Sequence, residues 1–186
     1  MIQRSDHPEA PANPYPDAAS TITGFRYDSA LVLLRLKDAP KMRDGEDADY
    51  LTGQDYFVSW RDGAGEWTQI RVPEGLLTDL TSVPRPLRWV VGRVGPWLEA
   101  AIVHDYLYVA WSDVPGRGAR EADRAFADDL MRAAMREARV NGLLVWAIHA
   151  SLRLFGAQGF RRSSERRYVD LSDPAVQAQL PFRMPR

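Results

Sequence analysis

The chain has no cysteine, so neither a disulfide nor a thiolate metal site is available to it. That absence fits a reducing compartment and a fold stabilised by its core alone. Charge of either sign is not in excess: 24 basic residues face 25 acidic ones, a formal net charge of −1. Such a balance gives no electrostatic reason to expect a nucleic-acid partner. Lysine is nearly absent, Lys37 and Lys41 being the only two, and the remaining cations are arginines. No apolar run approaches the ~20 residues of a membrane span. The first residues, with Asp6 and Glu9 among several prolines, lack the basic-then-apolar order of a signal peptide. No internal repeat is visible.

What is present divides into three stretches. Residues 1–19 carry Pro8, Pro11, Pro14 and Pro16 among small and polar residues and read as an extended or disordered arm. Residues 20–75 read as a β part. Thr21 to Lys37 predicts two β segments, and Asp38 to Asp49 is charged and predicts a loop. Tyr56 to Asp62 and Trp67 to Val72, joined by Gly63-Ala64-Gly65, predict a hairpin of aromatic and β-branched strands around a glycine turn. Residues 76–157 begin with an irregular Pro- and Gly-containing segment up to Pro96. Three helices are then expected, from about Trp97 to Trp111, from about Arg120 to Arg139, and from about Leu143 until Gly156. In the second, Ala122, Phe126, Leu130 and Ala134 form a stripe at helical spacing. The remainder, 158–186, reads as an Arg-rich then polar tail that wraps a surface or moves freely. The fold class is α+β: a small antiparallel sheet in the N-terminal half followed by a three-helix lobe in one domain, 20–157.

The chemistry-bearing residues cluster in the helical part. His104 is followed directly by Asp105, and Tyr108 lies one turn further on the same helix face as His104. Asp123 sits beside the apolar stripe of the second helix, where a carboxylate needs a partner to offset desolvation. Antiparallel packing of the first two helices would offer it an imidazole N–H, the base-and-orienter pair of general-base catalysis. Each feature also has a plainer explanation. Asp123 suits the first turn of a helix, Asp79 with Thr81 and Ser82 could form a turn, and His149 reads as a packed core or rim histidine.

Taken together, Asp79-Leu80, Pro84, His104-Asp105-Tyr106-Leu107-Tyr108, Asp123-Arg124-Ala125-Phe126-Ala127-Asp128-Asp129 and Leu154-Phe155-Gly156 resemble the prokaryotic and fungal secreted phospholipase A2 family. That resemblance implies that His104 is a general base, with Tyr108 beside it, and that Asp123 orients it. It also implies that Asp79, the Leu80 carbonyl and Asp105 hold Ca²⁺. The pattern departs where those enzymes join the two helices by a disulfide, since Ala101 and Ala134 stand there. The string Leu77-Thr78-Asp79-Leu80-Thr81-Ser82-Val83-Pro84-Arg85, with the helices after it, is similar still more closely to DUF1353, a family of phage and prophage proteins without an established reaction.

Two function classes follow from these resemblances. The first is a phage-encoded, Ca²⁺-dependent, phospholipase A2-like lipid esterase acting on the host envelope, with phospholipid or a membrane surface as its partner. The second is a non-enzymatic virion or tail component that keeps the His-Asp helix pair for structure and contacts other phage virion proteins. Either implies a location in the host cytoplasm or the virion. A Ser82-His104-Asp123 hydrolase fits by residue type alone, but Ser82 lacks a Gly-x-Ser-x-Gly elbow. The arginines, valines and tryptophans from Arg85 to Trp97 suit a lipid interface or, equally, a loop capping the helical core.

Overall fold

The computed structural model describes residues 12–35, 41–42, 46–47, 50–78, 95–161 and 168–180. Asp79, Leu80, Ser82 and the segment 85–94 therefore lie outside the described residues.

The expected hairpin is present as β6 (Tyr56–Arg61) and β7 (Trp67–Val72), which pair antiparallel from Tyr56 opposite Val72 to Arg61 opposite Trp67. Asp62 closes the turn, its carboxylate accepting from the Ala64 and Glu66 N–H groups, while Gly65 takes a φ of 94° that a side chain would resist. The first strand, β1 (Gly24–Tyr27), adds antiparallel to β6, giving the order β1-β6-β7. Period-two alternation sends Phe25, Tyr56, Val58, Trp60, Ile70 and Val72 to the buried face. On the other face Asp28 accepts from both the Ser59 hydroxyl and the Gln69 amide.

A second small sheet pairs β2 (Leu33–Leu34) with β5 (Tyr50–Thr52) and β5 with β8 (Leu77–Thr78), all antiparallel. The two segments expected in Thr21 to Lys37 thus exist but serve different sheets. The expected Asp38–Asp49 loop also carries a two-stranded ribbon, β3 (Lys41–Met42) with β4 (Glu46–Asp47).

Three long helices follow: α1 (Leu98–Val109, continued by a 3₁₀ turn Ala110–Ser112), α2 (Glu121–Glu137) and α3 (Gly142–Arg161). Asn141 caps α3, its side-chain oxygen accepting from the Leu143 N–H at 3.0 Å. Burial first, and then Glu99 near the start of α1 and Glu137 at the end of α2, pushes the Tyr27 hydroxyl above its ordinary range. His104 and Asp128 meet midway along the two helices, so α1 and α2 run antiparallel. One continuous core joins the β6 face to all three helices, through edge-on contact of Trp60 with Phe126 and through Ala101 and Ala134, both buried in it. The architecture is α+β, as expected.

Three boundaries differ from expectation. The arm does not extend to residue 19 as free chain: Tyr15 is buried in the core, packs edge-on against Phe126 and donates its hydroxyl to the Leu107 carbonyl. The third helix does not stop at Gly156 but runs five residues further. The tail is in part structural, because Tyr168 bridges to Leu76, and Val169, Leu171 and Val176 form a small second core with Leu51 and Leu77. The last of these residues lies on a short helix, α4 (Pro174–Gln177), capped by Asp173.

Candidate functional site

His104 is almost wholly buried on α1, a helix whose neighbours Ala100, Ala101, Val103 and Leu107 are core residues. Its Nε2 lies 3.0 Å from Oδ1 of Asp128 on α2. Tyr108, one turn along, donates its hydroxyl to the same oxygen at 2.7 Å, and the His104 and Tyr108 rings are 4.0 Å apart. Arg124 Nη1 donates to the other oxygen of Asp128 at 3.0 Å and to the Leu152 carbonyl at 3.2 Å. A fully buried carboxylate is thereby enclosed by an imidazole, a phenol and a guanidinium. Burial first, and then the neighbouring Asp128, pushes the Tyr108 hydroxyl well above its ordinary range, so it stays a donor. The Glu121 side chain bonded to Arg124 holds that guanidinium above its ordinary value, and Arg124 in turn holds the Glu121 carboxyl down.

Since Asp128 accepts from Arg124 and Tyr108, the His104 contact is complete when Nε2 is the donor. The other ring nitrogen is then an acceptor. Nδ1 is buried and has no hydrogen-bond partner among the described residues. Buried polar atoms are normally satisfied, and with the ring proton on Nε2 this nitrogen can accept a hydrogen bond from a further group.

The expected pairing of His104 with Asp123 is not what the fold makes. Asp123 instead receives a two-pronged bond from Arg117, Nε at 2.7 Å and Nη2 at 2.8 Å, and the Arg117 guanidinium stacks on Tyr15. The physical reason lies in α2, which is buried on more than one side. Phe126 and Leu130 meet the core shared with the sheet, while Arg124 and Asp128, four residues apart, share a different face with His104 and α3. A reading by one apolar stripe therefore misses Asp128. The signal that would find it is the Arg124–Asp128 spacing matched to the His104–Tyr108 spacing on the facing helix.

Asp105, half-buried, accepts from the Thr78 hydroxyl at 2.7 Å. This bond ties the α1 carboxylate to the last residue of β8, directly before Asp79. No cluster of three or more His, Cys, Asp or Glu side chains able to hold a metal forms among the described residues. His149 occupies the rim, as expected, its Nε2 2.9 Å from Asp129.

Gly156 explains how α3 seals the cluster. A Cβ there would fall 2.3 Å from the Tyr108 hydroxyl and 3.7 Å from Arg124 Nη1. Beyond it, Phe160 packs edge-on against Tyr108 and accepts the Trp111 indole N–H through its carbonyl.

Residues 57–152 match the model of a family described as a protein of unknown function, DUF1353. No curated protein and no solved structure matches the chain. The matched span covers just over half the chain and contains His104, Asp105, Tyr108, Arg124 and Asp128.

Proposed function

The chain belongs to the DUF1353 family, and on the geometry of its buried cluster we propose that it hydrolyses ester bonds of phospholipids. One observation carries this reading: His104 is anchored through Nε2 while Nδ1, buried, has no partner among the described residues. A water bound at Nδ1 would give its proton to the ring and attack the ester carbonyl carbon. The ester C–O bond then breaks, the proton passes to the departing alcohol, and a fatty acid and a lysophospholipid leave. Asp128 orients the ring and stabilises the charge it acquires, the role that the resemblance to phospholipase A2 assigns to Asp123. Tyr108 and Arg124 fix Asp128.

The oxygen donors suit a hard cation. Asp105, held by Thr78, would bind Ca²⁺ with Asp79 and the Leu80 carbonyl, and the bound cation would polarise the ester carbonyl. In this reading the protein is phage-encoded and acts on a host envelope.

A second reading has its own support. Asp128 is fully buried and bonded to three side chains, an arrangement that would specify the core even without any reaction. The protein would then be a virion or tail component. Fatty-acid release from phospholipid vesicles with Ca²⁺ separates the two. The expected result is hydrolysis by the parent chain, lowered by about 100-fold or more in His104→Gln, with an unchanged melting temperature. Glutamine can still donate to Asp128, so the fold should hold. A parent inactive at every calcium concentration, or a variant as active as the parent, would overturn the enzymatic reading.

A further inference from the structure

The outward side of α3 is a surface that the buried cluster does not use. Leu143, Trp146, Leu154 and Phe155 are each 67–75% exposed, a large apolar display for one 20-residue helix. Leu143, Trp146 and Leu154 recur at spacings of three and eight residues and so fall on one side of the helix. Phe155 widens the strip at one edge. Scattered exposed apolar residues need no explanation, but a contiguous strip marks a contact.

The charges beside the strip indicate what it contacts. From Gly142 to Arg161 the helix contains no Asp or Glu, and its arginines are Arg153 and Arg161. Both are exposed, Arg161 at the C-terminal end of the strip and Arg153 along its edge. Arg153 lies 4.0 Å from Asp128 and both arginines act on Glu121, but those carboxylates belong to α2 and are bonded to Arg124. Pairing this strip with the same strip of a second copy would therefore bring cations together with no carboxylate of α3 to answer them. An anionic lipid surface answers both features at once. Phosphate headgroups meet the arginines, Trp146 lies at headgroup depth, and the leucines enter the acyl boundary. No helix among the described residues is long and apolar enough to cross a membrane, which accords with a helix lying flat in the interface.

We propose that the face of α3 formed by Leu143, Trp146, Leu154 and Phe155, flanked by Arg153 and Arg161, docks the protein onto anionic bilayers. Docking shares with the proposed hydrolysis only its lipid partner and does not require turnover at His104. It also acts through a different element from the segment 85–97 that the sequence suggested as a lipid contact.

The test is co-sedimentation of the full chain with phosphatidylglycerol-containing and with purely phosphatidylcholine vesicles. It compares the parent, Trp146→Glu/Leu154→Glu and His104→Gln, with the mass of each measured without vesicles. Both glutamates replace exposed side chains, so folding is retained. The expected result is parent binding to the anionic vesicles, weakened by about tenfold or more in the double variant. His104→Gln should bind like the parent, which separates a failure of docking from a failure of chemistry. Three outcomes would overturn the proposal: no binding to either vesicle, binding untouched by the glutamates, or equal binding to both vesicle types. A parent dimer that the glutamates dissociate, with no vesicle binding, would assign the face to a second copy instead.

Discussion

Asp123 and Asp128 are five residues apart on one helix and have different tasks, so substituting each affects turnover differently. Asp123→Asn breaks a buried two-pronged pair with Arg117, and losing one partner of such a pair costs about 3–5 kcal/mol. We expect a lower denaturation midpoint in urea but an unchanged turnover number per folded molecule. Asp128→Asn also breaks a buried pair, with Arg124, and so lowers the midpoint too. It should in addition remove turnover per folded molecule, because the imidazole loses the carboxylate that orients it. Full activity in Asp128→Asn, or selective loss of turnover in Asp123→Asn, would return the orienting role to Asp123. The sequence made His104, Asp105 and Tyr108 legible because they adjoin or lie one turn apart on a single helix. Asp128 was not legible, since its partner lies 24 positions away and the choice among Asp123, Asp128 and Asp129 depends on which faces of α2 are covered.

At the level of elements, the reach of α3 depends on a close approach that only glycine allows. Gly156 was expected to end the helix, as glycines often do, yet the helix continues through it to pack on Tyr108 and Arg124. The same residue without a side chain serves either purpose, and the sequence does not distinguish them. Gly156→Ala would place a methyl group against the Tyr108 hydroxyl, an overpacking of about 1–3 kcal/mol. In a Tyr108→Phe background that hydroxyl is gone, so the penalty should shrink. A double-mutant cycle by thermal denaturation measures the coupling, and strict additivity would remove Tyr108 as the residue that fixes the helix spacing. The hairpin, by contrast, was readable to within a residue. Its strand pattern and its glycine turn are local, whereas the partners of β1 and β2 are set by long-range pairing.

Across the whole molecule, segments outside the expected domain limits complete the core. Tyr15 bonds α1, stacks against α2 and carries the Arg117 guanidinium on its ring. Tyr15→Ala should therefore lower stability by about 3–5 kcal/mol, the range for removing a buried aromatic side chain; a change near zero in chemical denaturation would show that the segment is dispensable. Val169, Leu171 and Val176 likewise cover Leu51 and Leu77. Proline and charge in the flanking sequence suggested an extended or disordered arm and a tail that wraps a surface or moves, without deciding between them. The reason is that composition reports the average of a segment while one tyrosine or three aliphatic residues decide whether it docks. The class of fold was legible because alternation and helical spacing persist over long stretches. The domain limits were not.

The proposed hydrolysis depends on one atom, Nδ1 of His104. Nitrogen-15 NMR of the imidazole rings in the intact protein reads it directly, and with only three histidines in the chain assignment is tractable. The expected spectrum has a ring proton on Nε2, donated to Asp128, and an Nδ1 without a proton that can accept one from water. A proton found on Nδ1 would contradict it, because that nitrogen would then have no lone pair to offer to water.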